Sequence, residues 1–360
     1  MEKLLIKESE LKKGDILLYT FINPPEFIPP SKDKTLKELI SDNLKVLIDK
    51  LIIWTEKSNT THAALFYDFI KNDDGSIDGQ VAEATLPYCQ LRTPILAPNL
   101  TVSVHRLPNN LDGSLVLNEL PPLSETNKDN NGYALAQACV AGLIMLLRTR
   151  INPESEEGKK ILPLILSFLK ILSFPIGKYV DSILPFNKDG KKPFFCSQLV
   201  AYCYDMTAVK YKNPEFTVKS PSSSKLGNTL LDYLINHIDL DAKDELLTSP
   251  QDQLFSQIDI DSPELFYAAS KIVDEKSSGL FLAANTESPV YKTALSQAND
   301  IKSIGPHIKK LIKNILILLG KKADIDKEGL AKTIIDFQTS FIMPSDLENV
   351  FEYKGEVVNA

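Results

Sequence analysis

Short runs of apolar residues, separated by polar turns, occupy the first part of the chain. A polar turn precedes a buried strand at 11–19 (LKKGDILLY). Two further runs, at 62–70 (HAALFYDFI) and 80–85 (QVAEAT), flank Asp-Gly pairs that are typical of a hairpin. Alternating β-branched residues follow at 101–107 (TVSVHRL). Consecutive strands with short connections predict an antiparallel sheet.

Helical spacing dominates the rest of the chain. Apolar residues recur at three and four in Leu36–Trp54, which predicts an amphipathic helix, and Tyr133–Arg148 is rich in alanine. The apolar stretch Ile161–Phe186 is interrupted by prolines and charges, so it can lie on a membrane more easily than cross one. Beyond about residue 240, helical patterns alternate with acidic loops and no strand pattern is convincing.

These patterns predict an α+β protein in two parts. Residues 1–240 form a strand-rich domain that carries a helical insertion at about 109–192. Residues 241–360 form an α-helical extension. We find no internal repeat.

Composition narrows the functional classes. The 40 Lys and Arg against 47 Asp and Glu give a net charge of −7, which disfavours a nucleic-acid binder. The four cysteines form no CxxC pair and no Cys/His cluster at zinc spacing, so no metal is expected. The start of the chain lacks the apolar core of a Sec signal. We therefore expect a cytoplasmic protein, or one delivered into a host cytosol without a Sec signal.

Cys196 is the sharpest local signal for chemistry. It follows a turn at 187–193 and begins a helical pattern, where free amide N–H groups and the helix dipole favour a thiolate. The other three cysteines, Cys89, Cys139 and Cys203, match small buried apolar residues better.

A nucleophilic cysteine needs a histidine base and a third group that orients the histidine. His62 opens a predicted strand, and Glu83 lies in the next one, inside an apolar context where a carboxylate needs a partner. Antiparallel pairing of these strands can bring Glu83 to the His62 ring. A strand-end histidine and an exposed glutamate are the plain alternatives, and His105 is either a competing orienter or a surface residue.

Five short motifs, taken in order, resemble one family. They are GDILLY at 14–19, THAALF at 61–66, VAEAT at 81–85, VSVHRL at 102–107 and FCSQLVAYCY at 195–204. Together they are similar to the permuted papain-like amidases of the YiiX type, which are relatives of NlpC-type peptidases and of lecithin:retinol acyltransferase-like enzymes. His62 precedes Cys196, which is the permuted order, and the resemblance covers about residues 11–232. The Asn-Cys-Glu box of the retinol acyltransferase branch is absent.

The resemblance implies a fold and a set of roles. The fold would be an antiparallel sheet with packed helices. Cys196 would be the nucleophile, His62 the base and then the acid, and Glu83 the third member. The backbone N–H of Cys196 would be one oxyanion donor, with Tyr19 as a candidate for the second. No cofactor is implied.

The expected activity is cysteine-dependent hydrolysis or acyl transfer at an amide or ester, through an S-acyl enzyme. The substrate is a small molecule, a lipid acyl group or a peptide or isopeptide. The alternative is a non-catalytic binding module on the same fold that engages a protein or a membrane. Peripheral membrane contact through 161–186 and 301–319 competes with packing of these segments inside the protein. The acidic tail DLENVFEYKGEVVNA resembles secretion signals of bacterial effectors, or is simply solvated.

Overall fold

A computed structural model gives the fold. It describes residues 4–29, 58–85, 88–94, 96–108, 111–121, 196–218, 342–348 and 351–358, together with six helical positions between 43 and 53. Predictions for Cys139, for the segments 161–186 and 301–319, and for most of the insertion and the extension therefore lie outside the described residues.

In the residues that the structure describes, seven strands form one sheet. They are β1 (Leu5–Lys7), β2 (Ile16–Phe21), β3 (Thr60–Lys71), β4 (Ile77–Thr85), β5 (Tyr88–Arg92), β6 (Leu100–Arg106) and β7 (Glu352–Val358). Their order across the sheet is β1-β7-β6-β2-β3-β4-β5. Every neighbouring pair is antiparallel except β1 and β7, which are parallel. The expected antiparallel sheet is thus a mixed sheet, and the α+β class is confirmed.

Three α-helices accompany the sheet in the described residues: Ser114–Leu117, Cys196–Tyr211 and Pro344–Glu348. Short 3₁₀ helices cover Glu8–Glu10 and Pro214–Phe216. The described positions inside the predicted helix Leu36–Trp54 are helical, and Ile52 and Ile53 among them are buried. None of the described helices has the length and the apolar character needed to cross a membrane.

The alternation of β2 places its side chains in two separate apolar clusters. Ile16 and Leu18 pack with the helix Cys196–Tyr211, while Leu17 and Tyr19 pack with the cluster that contains Phe66. The central run of β2 is consequently buried on both sides, with Ile16, Leu17 and Leu18 fully buried. This sheet face and this helix together fix the position of Cys196.

The predicted hairpin is confirmed, since β3 and β4 pair antiparallel across a turn that contains the Asp-Gly pair at 74–75, while the pair at 78–79 lies within β4. The strand predicted at 101–107 is β6, but β6 pairs with β2 and β7 rather than with β4. The pattern did not predict β5, which continues the hairpin as an edge strand. It did not predict β1 either.

The C-terminal residues correct the predicted domain division. A helical extension over 241–360 is wrong for its last part, because β7 (Glu352–Val358) lies in the sheet between β1 and β6. The acidic end of the chain is likewise a paired strand up to Val358 rather than a solvated tail. Pairing of backbone N–H and C=O groups on both sides explains why a polar sequence is held there.

Candidate active site

Cys196 is the first residue of the helix Cys196–Tyr211 and is only 6% exposed. Leu199, Val200 and Cys203 on the same helix are fully buried in the core, so the helix cannot rotate without breaking that packing. The next residue adds a polar contact, because Ser197 Oγ donates a hydrogen bond to the carbonyl oxygen of Ile342 at 2.7 Å. Cys196 is therefore held from both the core and the C-terminal segment.

His62 lies on β3 just past the end of its pairing with β4. The ladder between these strands begins at Leu65 and Ala82, so His62 stands where the two strands are no longer paired. On the other side, His62 pairs with Tyr19 of β2, next to a bulge. The two rings touch, with centroids 5.3 Å apart and planes tilted by 54°. His62 keeps 23% of its side chain exposed, which leaves the ring accessible.

The Cys196 thiol lies close enough to the His62 side chain for His62 to lower its pKa. Burial alone would raise the pKa of Cys196, but the charge of His62 and the hydrogen bond of its side chain outweigh burial. Backbone hydrogen bonds from Ala63 and Ser197 act in the same direction, and the pKa of Cys196 is lowered overall. A thiolate paired with an imidazolium is the form that attacks carbonyl carbon.

Glu83 completes a chain of three side chains. It is fully buried on β4, and its Oε2 lies 2.7 Å from His62 Nε2. Because Glu83 holds Nε2, Nδ1 is the ring nitrogen left to face the Cys196 thiol. The predicted proximity of His62 and Glu83 is thus observed, and neither residue is merely a surface side chain. A carboxylate that fixes the tautomer and the plane of the ring is the third element of a nucleophilic triad.

Arg92, on β5, also belongs to the site and was missed from the sequence. Its Nη2 lies 3.1 Å from Glu83 Oε2, and its Nε pairs with Glu83 Oε1. Two signals could have found it. A buried carboxylate needs a cation, and Arg92 is the first Lys or Arg after Glu83 in the sequence. The missing information was that Tyr88–Arg92 is a strand.

Tyr19, the candidate oxyanion donor, lies against the His62 ring. Its hydroxyl is buried and has no hydrogen-bond partner among the residues that the structure describes. Burial raises the pKa of Tyr19, against a smaller opposing effect of the Arg92 charge. The phenol is therefore a neutral donor close to the Arg92 side of the site, and its role as an oxyanion donor stays a prediction.

The other described cysteines and His105 do not belong to the site formed by Cys196, His62 and Glu83. Cys89 and Cys203 are buried in the core as predicted; burial raises the pKa of Cys89 to about 12 and that of Cys203 further. His105 is buried rather than on the surface, and its contacts include Ser103 Oγ at 3.2 Å, the Tyr353 ring and the backbone of Phe351. Its position opposite Ile16 on β2 gives it a structural place instead of an orienting one.

A cavity of about 340 Å³ lies elsewhere, between the turn before β2 and the helix Ser114–Leu117. Two of its charged lining residues pair with each other, since Arg106 binds Asp15 at 2.6 and 2.7 Å. None of the predicted site residues lines it. In the part of the chain that the structure describes, no group of His, Cys, Asp and Glu side chains has the arrangement of a metal site.

Comparison with known proteins adds no family. No protein-family model, no curated protein and no solved structure matches the chain. The functional interpretation therefore depends on the residues and their geometry.

Proposed function

We propose that the protein is a cysteine-dependent hydrolase or acyltransferase that acts on an amide or ester through an S-acyl enzyme. One observation carries the proposal. A buried cysteine at a helix start has its pKa lowered by a histidine, and a buried carboxylate holds the other nitrogen of that histidine at 2.7 Å. Core cysteines show the opposite shift, as Cys89 and Cys203 do here.

In the first half-reaction the Cys196 thiolate attacks the carbonyl carbon of the substrate. The tetrahedral oxyanion is stabilised by the backbone N–H of Cys196, with the Tyr19 hydroxyl as the candidate second donor. The His62 imidazolium gives its proton to the leaving amine or alcohol, and the bond to that group breaks. The products are the S-acyl enzyme and the free leaving group.

In the second half-reaction His62 is neutral and acts as a base. It takes a proton from water, or from an acceptor nucleophile, as that group attacks the thioester carbonyl. Collapse of the second tetrahedral intermediate releases the acyl product and restores the thiolate beside the imidazolium. Glu83 keeps the ring in one orientation throughout, which spares the enzyme a reorientation cost at each step.

The permuted papain-like fold is part of the same proposal. It is supported by the order of the parts: a central antiparallel strand with His62, the next strand with Glu83, and a later helix that begins at Cys196. The substrate class that we favour is a lipid acyl group or a lipidated molecule, on account of the apolar sequence at 161–186. A peptide or isopeptide amide is the competing substrate.

An acylating activity-based probe tests the nucleophile. We expect the wild-type protein to be labelled at one site, and Cys196→Ala to be unlabelled. Cys203→Ala is the matched control, since it removes a thiol of the same helix that lies in the core, and it should label like the wild type in its folded fraction. Peptide mapping of the adduct by mass spectrometry identifies the modified residue. Equal labelling of wild type and Cys196→Ala would refute the assignment.

Substrate class is tested with acyl esters of different length and with a peptide amide. We expect a long-chain acyl ester to be turned over faster than an acetyl ester of the same alcohol, with Cys196→Ala inactive on both. Preference for the peptide amide would leave the thiol mechanism intact and reverse the substrate assignment.

A further inference from the structure

Glu83 has two charged partners: the His62 ring that it orients, and Arg92. Glu83 is fully buried, and an isolated carboxylate in such a place is costly. His62 offsets its charge only while the ring is protonated. In the second half-reaction proposed above, the ring is neutral, so another cation has to balance Glu83 at that stage.

Arg92 is placed to be that cation. In the ladder between β4 and β5, Arg92 stands opposite Val81 and Gln90 stands opposite Glu83. Side chains two apart on a strand share a face, so the Arg92 guanidinium reaches Glu83 diagonally across the ladder. The contact consists of one hydrogen bond, from Nη2 to Oε2 at 3.1 Å, and an ion pair between Nε and Oε1, which form no hydrogen bond with each other. A guanidinium in this position balances the charge of the carboxylate, and its hydrogen bond to Oε2 restricts the orientation of the carboxylate.

His62 and Arg92 share one oxygen of Glu83. Both His62 Nε2 and Arg92 Nη2 bind Oε2, while Oε1 forms only an ion pair with Arg92 Nε. A rotation of the carboxylate that loosened its contact with Arg92 would therefore also move the atom that holds the ring. Arg92 touches neither Cys196 nor its carbonyl target in the proposed mechanism, so any effect on the chemistry runs through Glu83.

We propose that Arg92 is a positioning residue that fixes Glu83 and sets the pH range in which the Cys196–His62 pair is reactive. This inference rests on the proposed function. The titratable and charged groups that the described elements bring to the site are Tyr19 of β2, His62 of β3, Glu83 of β4, Arg92 of β5 and Cys196 of the helix. Arg92 is the only permanent cation among these five.

The sign of the effect follows from that charge. A nearby cation favours the thiolate over the thiol. Loss of the Arg92 charge therefore moves the appearance of the Cys196 thiolate to higher pH. Loss of a residue with a merely structural role would lower the stability of the fold or the amount of reactive protein, but it would not change the pH at which Cys196 becomes reactive.

The test is the pH dependence of Cys196 alkylation by iodoacetamide, read by mass spectrometry. The rate of alkylation rises with pH as the thiolate forms, and we call this part of the curve the rising limb. We expect Arg92→Gln to shift the rising limb to higher pH by about half to one pH unit. Arg92→Lys keeps the charge but not the guanidinium, so the pH at which alkylation rises should stay at the wild-type position. The double variant Gln90→Arg with Arg92→Gln puts a guanidinium directly opposite Glu83 and should return the limb toward the wild type.

The readout is confined to folded molecules, so a destabilised variant still gives an answer. Only molecules with an unmodified Cys203 are counted, because that thiol is buried in the core and is alkylated after unfolding. The inference would be overturned if the rising limbs of Arg92→Gln and the wild type coincided. It would also be overturned if Arg92→Lys shifted the limb as much as Arg92→Gln does. Failure of the proposed function is a different result: the wild-type limb would itself lie in the range of an ordinary thiol.

Discussion

Glu83 and His62 show how one hydrogen bond can decide the chemistry of a buried thiol. The ring has two nitrogens, and the 2.7 Å contact with Glu83 occupies Nε2. This leaves Nδ1 as the nitrogen available to Cys196, whose pKa is lowered against the effect of burial. Cys203 lies on the same helix and is buried as deeply, but with no such partner its pKa is raised.

Glu83→Gln tests this arrangement at a single residue. The amide keeps the size of the side chain but removes the charge that stabilises an imidazolium, so we expect probe labelling of Cys196 to slow by about 10²-fold or more. Asp68→Asn is the control with the same change of charge, because Asp68 pairs with Lys13 at the surface. Equal slowing in both variants would mean that the effect is one of overall charge and not of the site.

His62, Glu83 and Cys196 could be predicted from the sequence because each has a local signature. These signatures are a strand start, a carboxylate among apolar residues and a helix start. Arg92 has none. It looks like an ordinary charged residue until β5 is known to pair with β4, and that pairing depends on tertiary contacts. Tyr19 was found through its place on β2, but its contact with the His62 ring comes from the register of β2 and β3.

At the scale of elements, the turn before β2 joins the sheet to the helix of Cys196. Gly14 donates its N–H to the carbonyl of Phe66 on β3 at 2.9 Å and accepts a hydrogen bond from Tyr204 Oη at 2.8 Å. Its φ of +84° is in the left-handed region. The backbone of Gly113 packs directly against it, leaving no room for a side chain.

Gly14→Ala should therefore destabilise the fold by about 3 kcal/mol or more, from backbone strain together with a clash against Gly113. Gly75→Ala is a matched control: its φ is +86°, but nothing lies near its missing Cβ. We expect that variant to lose only about 1 kcal/mol. Urea unfolding monitored by circular dichroism gives both values, and equal losses would show that packing against Gly113 contributes nothing.

The C-terminal residues brace the site from two sides. Ser197, beside Cys196, donates to the carbonyl of Ile342, and Thr60, near the start of β3, donates to Glu348. Thr60 also shares a hydrogen bond with Thr20 of β2 at 2.9 Å. The helix Pro344–Glu348 thus links the strand of His62 to the helix of Cys196.

At the scale of the whole molecule, we expect His105 to make the folded protein less stable at acidic pH. Burial lowers the pKa of His105 below its ordinary 6.5 in the folded protein, so the unfolded chain binds this proton more readily. Stability is retained above about pH 6.5 and lost as the pH falls from there toward the folded-state value. His105→Gln, which can still bond to Ser103, should lose less stability over that interval.

Urea unfolding of the two proteins at about pH 7 and pH 5 measures this difference, and the comparison cancels the other groups that titrate in both. A wild-type loss no larger than that of the variant would contradict the assignment of acid sensitivity to His105.

The limits of sequence reasoning are clearest for β7. Its residues, EYKGEVV, alternate poorly and carry three charges, which is why a solvated tail was expected. The strand is held by partners far away in the sequence, Leu5 to Lys7 on one side and Ser103 to Arg106 on the other. The hairpin of β3 and β4, by contrast, is local and was predicted, because its turn and its apolar runs lie together.

The position of β7 has a consequence for the time course of synthesis. During translation, β6 and the helix of Cys196 emerge long before residues 352–358 exist, so the sheet lacks the strand that joins β1 to β6. Contacts between such distant segments form late and slowly. A nascent chain would thus carry its thiol well before the brace from Ile342 and Glu348, and full reactivity would appear only as translation of this segment ends.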